Sequence, residues 1–217
     1  MCIFATNHLD YINMKALIVV DLQDDFLPGG SLAVVKGDEI VPVINRLQEK
    51  FDLVVATQDW HPANHKSFAS QHPTRQVFEV IDLNGLQQVL WPDHCVQGTT
   101  GAGFTSAWDS RKVAAIFRKG MQIGVDSYSG FYDNDKQIST GLLGYLRERG
   151  VTAVYVCGLA AEFCVYYTSK DAAVAGLDTY FLDFATRPIS AEGLVSAKGD
   201  LSALGVHIIE NEGELTI

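Results

Sequence analysis

Several side chains in this sequence could do covalent or metal chemistry, and a cysteine is the first of them. Cys164 lies in VYVCGLAAEFCVYYTSKDAAVAG, seven residues after Cys157. A helix beginning near Ala161 to Phe163 would put Cys164 in its first turn, where the partial positive charge of the helix end favours a thiolate. The tight GLAA approach would let backbone N–H groups converge on one spot, and two such donors make an oxyanion hole. Free cysteine is also among the most buried residue types, so these local features leave Cys164 open between core and nucleophile. Cys157, inside a strand between Val156 and Gly158, reads as a small buried hydrophobe.

A thiol nucleophile needs a base. Asp21 and Lys119 each close an apolar run. A buried Asp with a raised pKa takes a thiol proton and later hands it to a leaving amine. A neighbouring Lys would hold thiolate and Asp together. The competing reading is a plain structural ion pair at a sheet end.

The stretch TQDWHPANHKSF carries a second chemistry. Asp59 and His61 are two apart, so in an extended segment both point to one side and Trp60 to the other. Pro62 biases His61 toward the extended conformation. His94, in LWPDHCVQGT, offers a third donor. Two His and one Asp suit Zn, Fe or Mn, with open positions left over. His65, Ser67 or water is left open as the fourth ligand. GTTGAGF has no strand before it and no helix start after it, so it reads as a loop and not a phosphate cradle. Cys95 beside His94 reads as packing, because adjacent side chains of an extended segment point apart.

The elements that must position these residues follow from apolar runs. Strands are expected at Ala16–Asp21, Leu53–Asp59, Val113–Lys119, Ala153–Gly158, Asp178–Asp183 and Val206–Glu210. Helices are expected from Asp38 (as N-cap) to about Phe51, over Ser139–Gly150, up to Gly176 and over Ser190–Gly205. This alternation predicts an α/β fold, a doubly wound and mainly parallel sheet with helices on both faces. Such sheets place their sites at the carboxyl ends of the strands. Residues 60–112 show little regular pattern, and a loop of that length in a compact domain is usually functional.

The chain has 217 residues, 47% of them hydrophobic, which fits one domain with a sizeable core. We expect residues 1–13 to be an N-terminal extension and 14–217 a single domain, because the core pattern starts directly after Met14. The net charge of -10 argues against nucleic acid and acidic lipid as partners. Four cysteines without a CxxC pair, no apolar run long enough to span a membrane and no signal peptide point to a cytoplasmic protein.

Five segments together, ALIVVDLQDDFLPGGSLAV, VVATQDWHPANHKSFAS, WPDHCVQGTTGAGF, FRKG…DSYSGF and VCGLAAEFCVYYTSKDA, resemble the successive motifs of bacterial nicotinamidases, members of the isochorismatase-like cysteine hydrolases. The likeness runs from about Met14 to the C-terminus. It implies a catalytic triad of Asp21, Lys119 and Cys164, and one divalent metal held by Asp59, His61 and His94. It also implies a cis Leu159–Ala160 peptide that aims the N–H groups of Ala160 and Cys164 into an oxyanion hole. Phe26 and Trp91 match aromatic residues that sandwich a pyridine ring, and Tyr128 sits in the YSGF motif. The implied activity is hydrolysis of nicotinamide, and of pyrazinamide, to the acid and ammonia through a cysteine thioester, within NAD salvage. The implied partner is that small substrate, with a homo-oligomer left open. The implied metal seats the ring nitrogen and does not supply the attacking hydroxide. Phe163, where some relatives have His, would alter the pocket wall. An isochorismatase or N-carbamoyl amide hydrolase is the alternative within the superfamily.

Overall fold

The computed structural model describes residues 13–217. All but the last residue of the expected 1–13 extension lies outside the described residues.

Six parallel strands form one sheet in the order β5-β2-β1-β6-β7-β8, with β1 Met14–Val20, β2 Leu53–Asp59, β5 Val113–Lys119, β6 Val151–Leu159, β7 Asp178–Arg187 and β8 His207–Ile209. Of the four inner strands, β1, β2 and β6 are apolar nearly throughout and buried on both faces, as a covered parallel sheet requires. Edge strand β5 alternates between half-buried and exposed residues until Lys119, which is buried. The chain first builds outward from β1 to β2 and β5, then crosses back to β6 on the other side of β1. The order therefore reverses between β1 and β6, where a doubly wound sheet opens a crevice at its carboxyl edge.

One face is covered by α1 (Val41–Leu47), whose Ile44 and Leu47 join Leu17, Val19 and Val54 in one apolar cluster. The other is covered by α2 (Leu142–Glu148), α3 (Tyr166–Val174) and α4 (Ala191–Ala203), whose Leu142, Leu146, Ala172 and Leu201 meet Ile18, Val55 and Val156. The doubly wound, three-layer expectation holds.

The differences are local. Asp38 does not cap α1: Gly37–Ile40 is a 3₁₀ turn, and the α-helix starts at Val41 with Pro42 in its first turn. The strand expected to end at Asp183 runs on to Arg187 after a register shift against β6. Residues 60–112 hold an antiparallel hairpin, β3 (Val80–Leu83) and β4 (Leu86–Val89). Its turn is Asn84–Gly85, both with positive φ (55° and 86°), a strong short-range hairpin signal.

Candidate active site

Four neighbouring strands deliver the polar side chains. Lys119 ends β5 and is the register partner of Asp59, which ends β2. Asp21 follows β1, and Cys164 follows β6 in the π-helical turn Ala161–Val165 that leads into α3. The backbone bends sharply at two of these ends. Asp21 has φ 47°, a left-handed conformation unusual for a non-glycine residue and of the kind that gathers at functional sites. Gly158 has φ 115°, and a Cβ there would lie 2.0 Å from the Val20 carbonyl oxygen, so only glycine lets β6 pass β1 this closely. The Leu159–Ala160 peptide is cis.

Lys119, fully buried, is the hub. Its Nζ lies 2.8 Å from Asp21 Oδ2, 2.6 Å from Asp59 Oδ1, 2.9 Å from the Ser127 carbonyl and 3.2 Å from Cys164 Sγ. Thr57 donates to Asp21 Oδ1 at 2.6 Å. Asp21 Oδ2 faces Lys119 as an ion pair but has no hydrogen bond of regular geometry among the described residues, so it is the oxygen open to a proton. A carboxylate oxygen of Asp21 and Sγ of Cys164 lie within 4.8 Å of each other.

The two carboxylates around this lysine are driven apart. Burial raises both, and at Asp21 it wins over the Lys119 charge, so its pKa is raised. At Asp59 burial is outweighed by Lys119 and His61 with a bond from His94, and the carboxyl stays well below its usual range. The surroundings thus favour the anion at Asp59 and the protonated form at Asp21, the separation expected where two carboxyls do different work. Lys119 loses to burial but gains more from Asp21, Asp59 and Cys164, and stays charged. Burial pushes the Cys164 thiol well above its ordinary value against the pull of Lys119. Burial thus opposes the preference for a thiolate that the helix end supplies at Cys164. Cys157 is fully buried, burial alone pushes its thiol well above the ordinary value, and the thiol points at the Ile18 carbonyl within the core.

The proposed metal donors assemble beside Lys119. Asp59, His61 and His94, all buried, each bring a ligand atom within 4.8 Å of the others. His61 Nε2 and His94 Nε2 lie 3.4 and 3.7 Å from Asp59 Oδ2. The Nδ1 of His61 donates to the Gly120 carbonyl and that of His94 to the Pro92 carbonyl, each at 2.8 Å. A carbonyl accepts only, so each ring carries a proton on Nδ1 and presents Nε2 on the side of Asp59, the nitrogen that would ligate a metal. The donor set fits a divalent ion. Gly120 must be glycine, since a Cβ there would lie 2.3 Å from the His61 ring. His65 and Ser67 bond to each other at 2.7 Å, and burial holds the His65 ring at about 4. His65 groups with His61 and Asp126, outside the Asp59–His61–His94 set.

A cleft opens onto both centres, lined by Phe26, Trp91, Tyr128, Phe163, Ala160 and Cys164 together with Asp59, His94 and Asp126. All three residues expected to bind substrate are there. Phe163 packs edge-on to Trp91, with ring centroids 4.9 Å apart, and completes the aromatic wall.

Three contributors were not foreseen. Asp126 lines the cleft with Ser127 N–H and Gln88 Nε2 donating to it at 2.8 and 3.0 Å. Gln23 exchanges two 2.8 Å bonds with the backbone of Asp59, acting as one more strand residue that fixes the end of β2. Its signal was its place two residues past a strand-closing Asp. Gln88 had no signal without the hairpin. Cys95 is buried, as expected, but for a different reason. Its φ of 47° shows that the segment is not extended there, and its N–H donates to Asp25 at 2.7 Å.

Comparison with known proteins finds relatives over nearly the whole chain. The curated nicotinamidase of Acinetobacter baylyi is 48% identical over 204 residues, covering 94% of this chain and 95% of the relative. The solved nicotinamidase/pyrazinamidase of Acinetobacter baumannii superposes with a TM-score of 0.91 at 45% identity, covering 94% of this chain and 99% of that one. The pyrazinamidase of Pyrococcus horikoshii, solved in complex with zinc, superposes with a TM-score of 0.76 at 38% identity, covering 91% and 99%. The family model of the isochorismatase domain matches residues 15–212, and the chain belongs to the isochorismatase family.

Proposed function

We propose that this protein is an amidohydrolase that converts nicotinamide to nicotinate and ammonia, with pyrazinamide as a second substrate, in salvage of the pyridine ring for NAD. The observation that carries the reading is one lysine joining two centres: Lys119 touches the nucleophile and its base on one side and a metal-donor carboxylate on the other.

The ring enters between Phe26 and Trp91 with Tyr128 at its edge. Asp59, His61 and His94 would hold a divalent ion, with His65, Ser67 or water as the candidate fourth ligand. Zinc is our choice because the Pyrococcus relative was solved with it. When bound, that ion supplies a Lewis-acid seat for the ring nitrogen. Asp21 takes the proton of Cys164, and Lys119 holds the resulting thiolate. The sulfur attacks the carboxamide carbon, and the C=O electrons pass to an oxyanion that accepts from the N–H groups of Ala160 and Cys164. Asp21 returns its proton to the amide nitrogen, the C–N bond breaks and ammonia leaves. Water then adds to the thioester, giving a proton to Asp21. The C–S bond breaks, nicotinate departs and the thiol is restored. A substrate without a ring nitrogen has no evident use for the Asp59–His61–His94 set.

Among the described residues no helix is long and apolar enough to cross a membrane. We place the enzyme in the cytoplasm and residues 14–217 in one domain.

The test is ammonia release from nicotinamide, with metal analysis of the same sample. Stoichiometric ammonia and nicotinate with close to one divalent ion per chain is the expected result. A metal-loaded, folded protein that leaves nicotinamide intact would overturn the reading.

A further inference from the structure

Hairpin strand β4 breaks its own pattern. Of Leu86, Gln87, Gln88 and Val89, the one buried residue is Gln88, 2% exposed, while Leu86 and Val89 are only half-buried. A strand that buries an amide in preference to its leucine and valine violates apolar-inward patterning, and such violations gather at functional sites.

The Gln88 amide has a defined orientation. Its Nε2 lies 2.8 Å from the Val89 carbonyl, 3.0 Å from Asp126 Oδ2 and 3.0 Å from Tyr128 Oη. The first two partners accept only, so the NH₂ must face them and the amide cannot flip. An NH₂ accepts nothing, so toward it the Tyr128 oxygen is an acceptor. That oxygen also accepts from Trp91 Nε1 at 3.3 Å. The two Gln88 hydrogens are shared among three acceptors, and toward both Gln88 and Trp91 the Tyr128 oxygen accepts, so the Tyr128 O–H has no hydrogen-bond partner among the described residues and is available to an acceptor on a bound ligand. Trp91, Tyr128 and Asp126 all line the cleft, whereas Gln88 does not.

We infer that Gln88 is a positioning residue of the substrate pocket: its amide holds the Asp126 carboxylate and the Tyr128 hydroxyl in one arrangement, and through that hydroxyl sets the Trp91 indole. The hairpin thereby acts as the buttress of the aromatic wall. The inference rests on the nicotinamide reading of the cleft.

The test is a double-mutant cycle on nicotinamide turnover with Gln88→Met, which keeps volume but removes both donors, Tyr128→Phe and their combination. Gln87→Met, on the exposed neighbour, is the control. Gln88→Met is expected to raise KM about tenfold, the worth of one hydrogen bond to a charged group, with kcat nearly unchanged. The double variant should be no worse than the weaker single one. A normal KM in folded Gln88→Met, or effects that multiply in the double variant, would overturn the inference. If Gln88→Met does not fold, Gln88→Asn takes its place, since its shorter amide cannot span the same partners. Tryptophan emission of the ligand-free protein gives a readout without turnover: it should shift in the Gln88 variant and not in the Gln87 control. An unshifted emission counts against the inference. Failure of the wild type to hydrolyse nicotinamide would defeat the functional reading alone, and the emission comparison would still decide the role of Gln88.

Discussion

Lys119, Asp59, Asp21 and Cys164 stand at the ends of four adjacent parallel strands, whereas His61, His94, Trp91 and Gln88 come from the segment between β2 and β5. The first group is held by register. Lys119 faces Asp59 because β5 pairs with β2, and Asp21 nears Cys164 because the strand order reverses between β1 and β6. The second group is held by side-chain hydrogen bonds: His61 and His94 to the backbone carbonyls of Gly120 and Pro92, Trp91 and Gln88 to the side chains of Tyr128 and Asp126. The sheet can therefore fix reacting atoms, while the irregular segment shapes what they react with. Asp59 belongs to both groups, which is why Lys119 couples them.

Substitutions should separate the two regions by effect. Asp21→Asn keeps the shape of the strand end and removes the proton acceptor. It should lower kcat by about 10²–10⁴ with little change in KM, measured by steady-state ammonia release. An unchanged kcat would move the base elsewhere. His94→Ala acts on the other region. It should raise KM for nicotinamide strongly and lower bound metal, read by kinetics and metal analysis. Normal KM with metal lost would end the ring-seating role. Cys157→Ala, in the sheet but away from its edge, should cost about 1 kcal/mol of stability and leave kcat intact, measured by denaturant unfolding. A large loss of kcat there would mean that the two cysteines had been assigned the wrong way round.

The same division explains what was legible in the sequence. Strand runs and their closing residues are local signals, so Asp21, Asp59, Lys119 and the turn before Cys164 were readable. Phe26, Trp91 and Tyr128 came only through resemblance, because nothing in their spacing says that they share a cleft. Asp126 and Gln88 escaped because their roles depend on the docking of the β3–β4 hairpin. The Asn84–Gly85 pair announced that hairpin, but a stretch rich in His, Pro and Trp was read as loop. The helix-end effect at Cys164 is local and readable, whereas the burial that opposes it arises from the whole fold.

The central claim is that Cys164 becomes acylated during turnover. Rapid acid quenching of the enzyme with nicotinamide, followed by peptide mass spectrometry, tests it directly. The account predicts a nicotinoyl adduct on the peptide carrying Cys164, formed at least as fast as steady-state turnover and absent from Cys164→Ala, which should also release no ammonia. Continued ammonia release by folded Cys164→Ala, or an adduct on another residue, would contradict it.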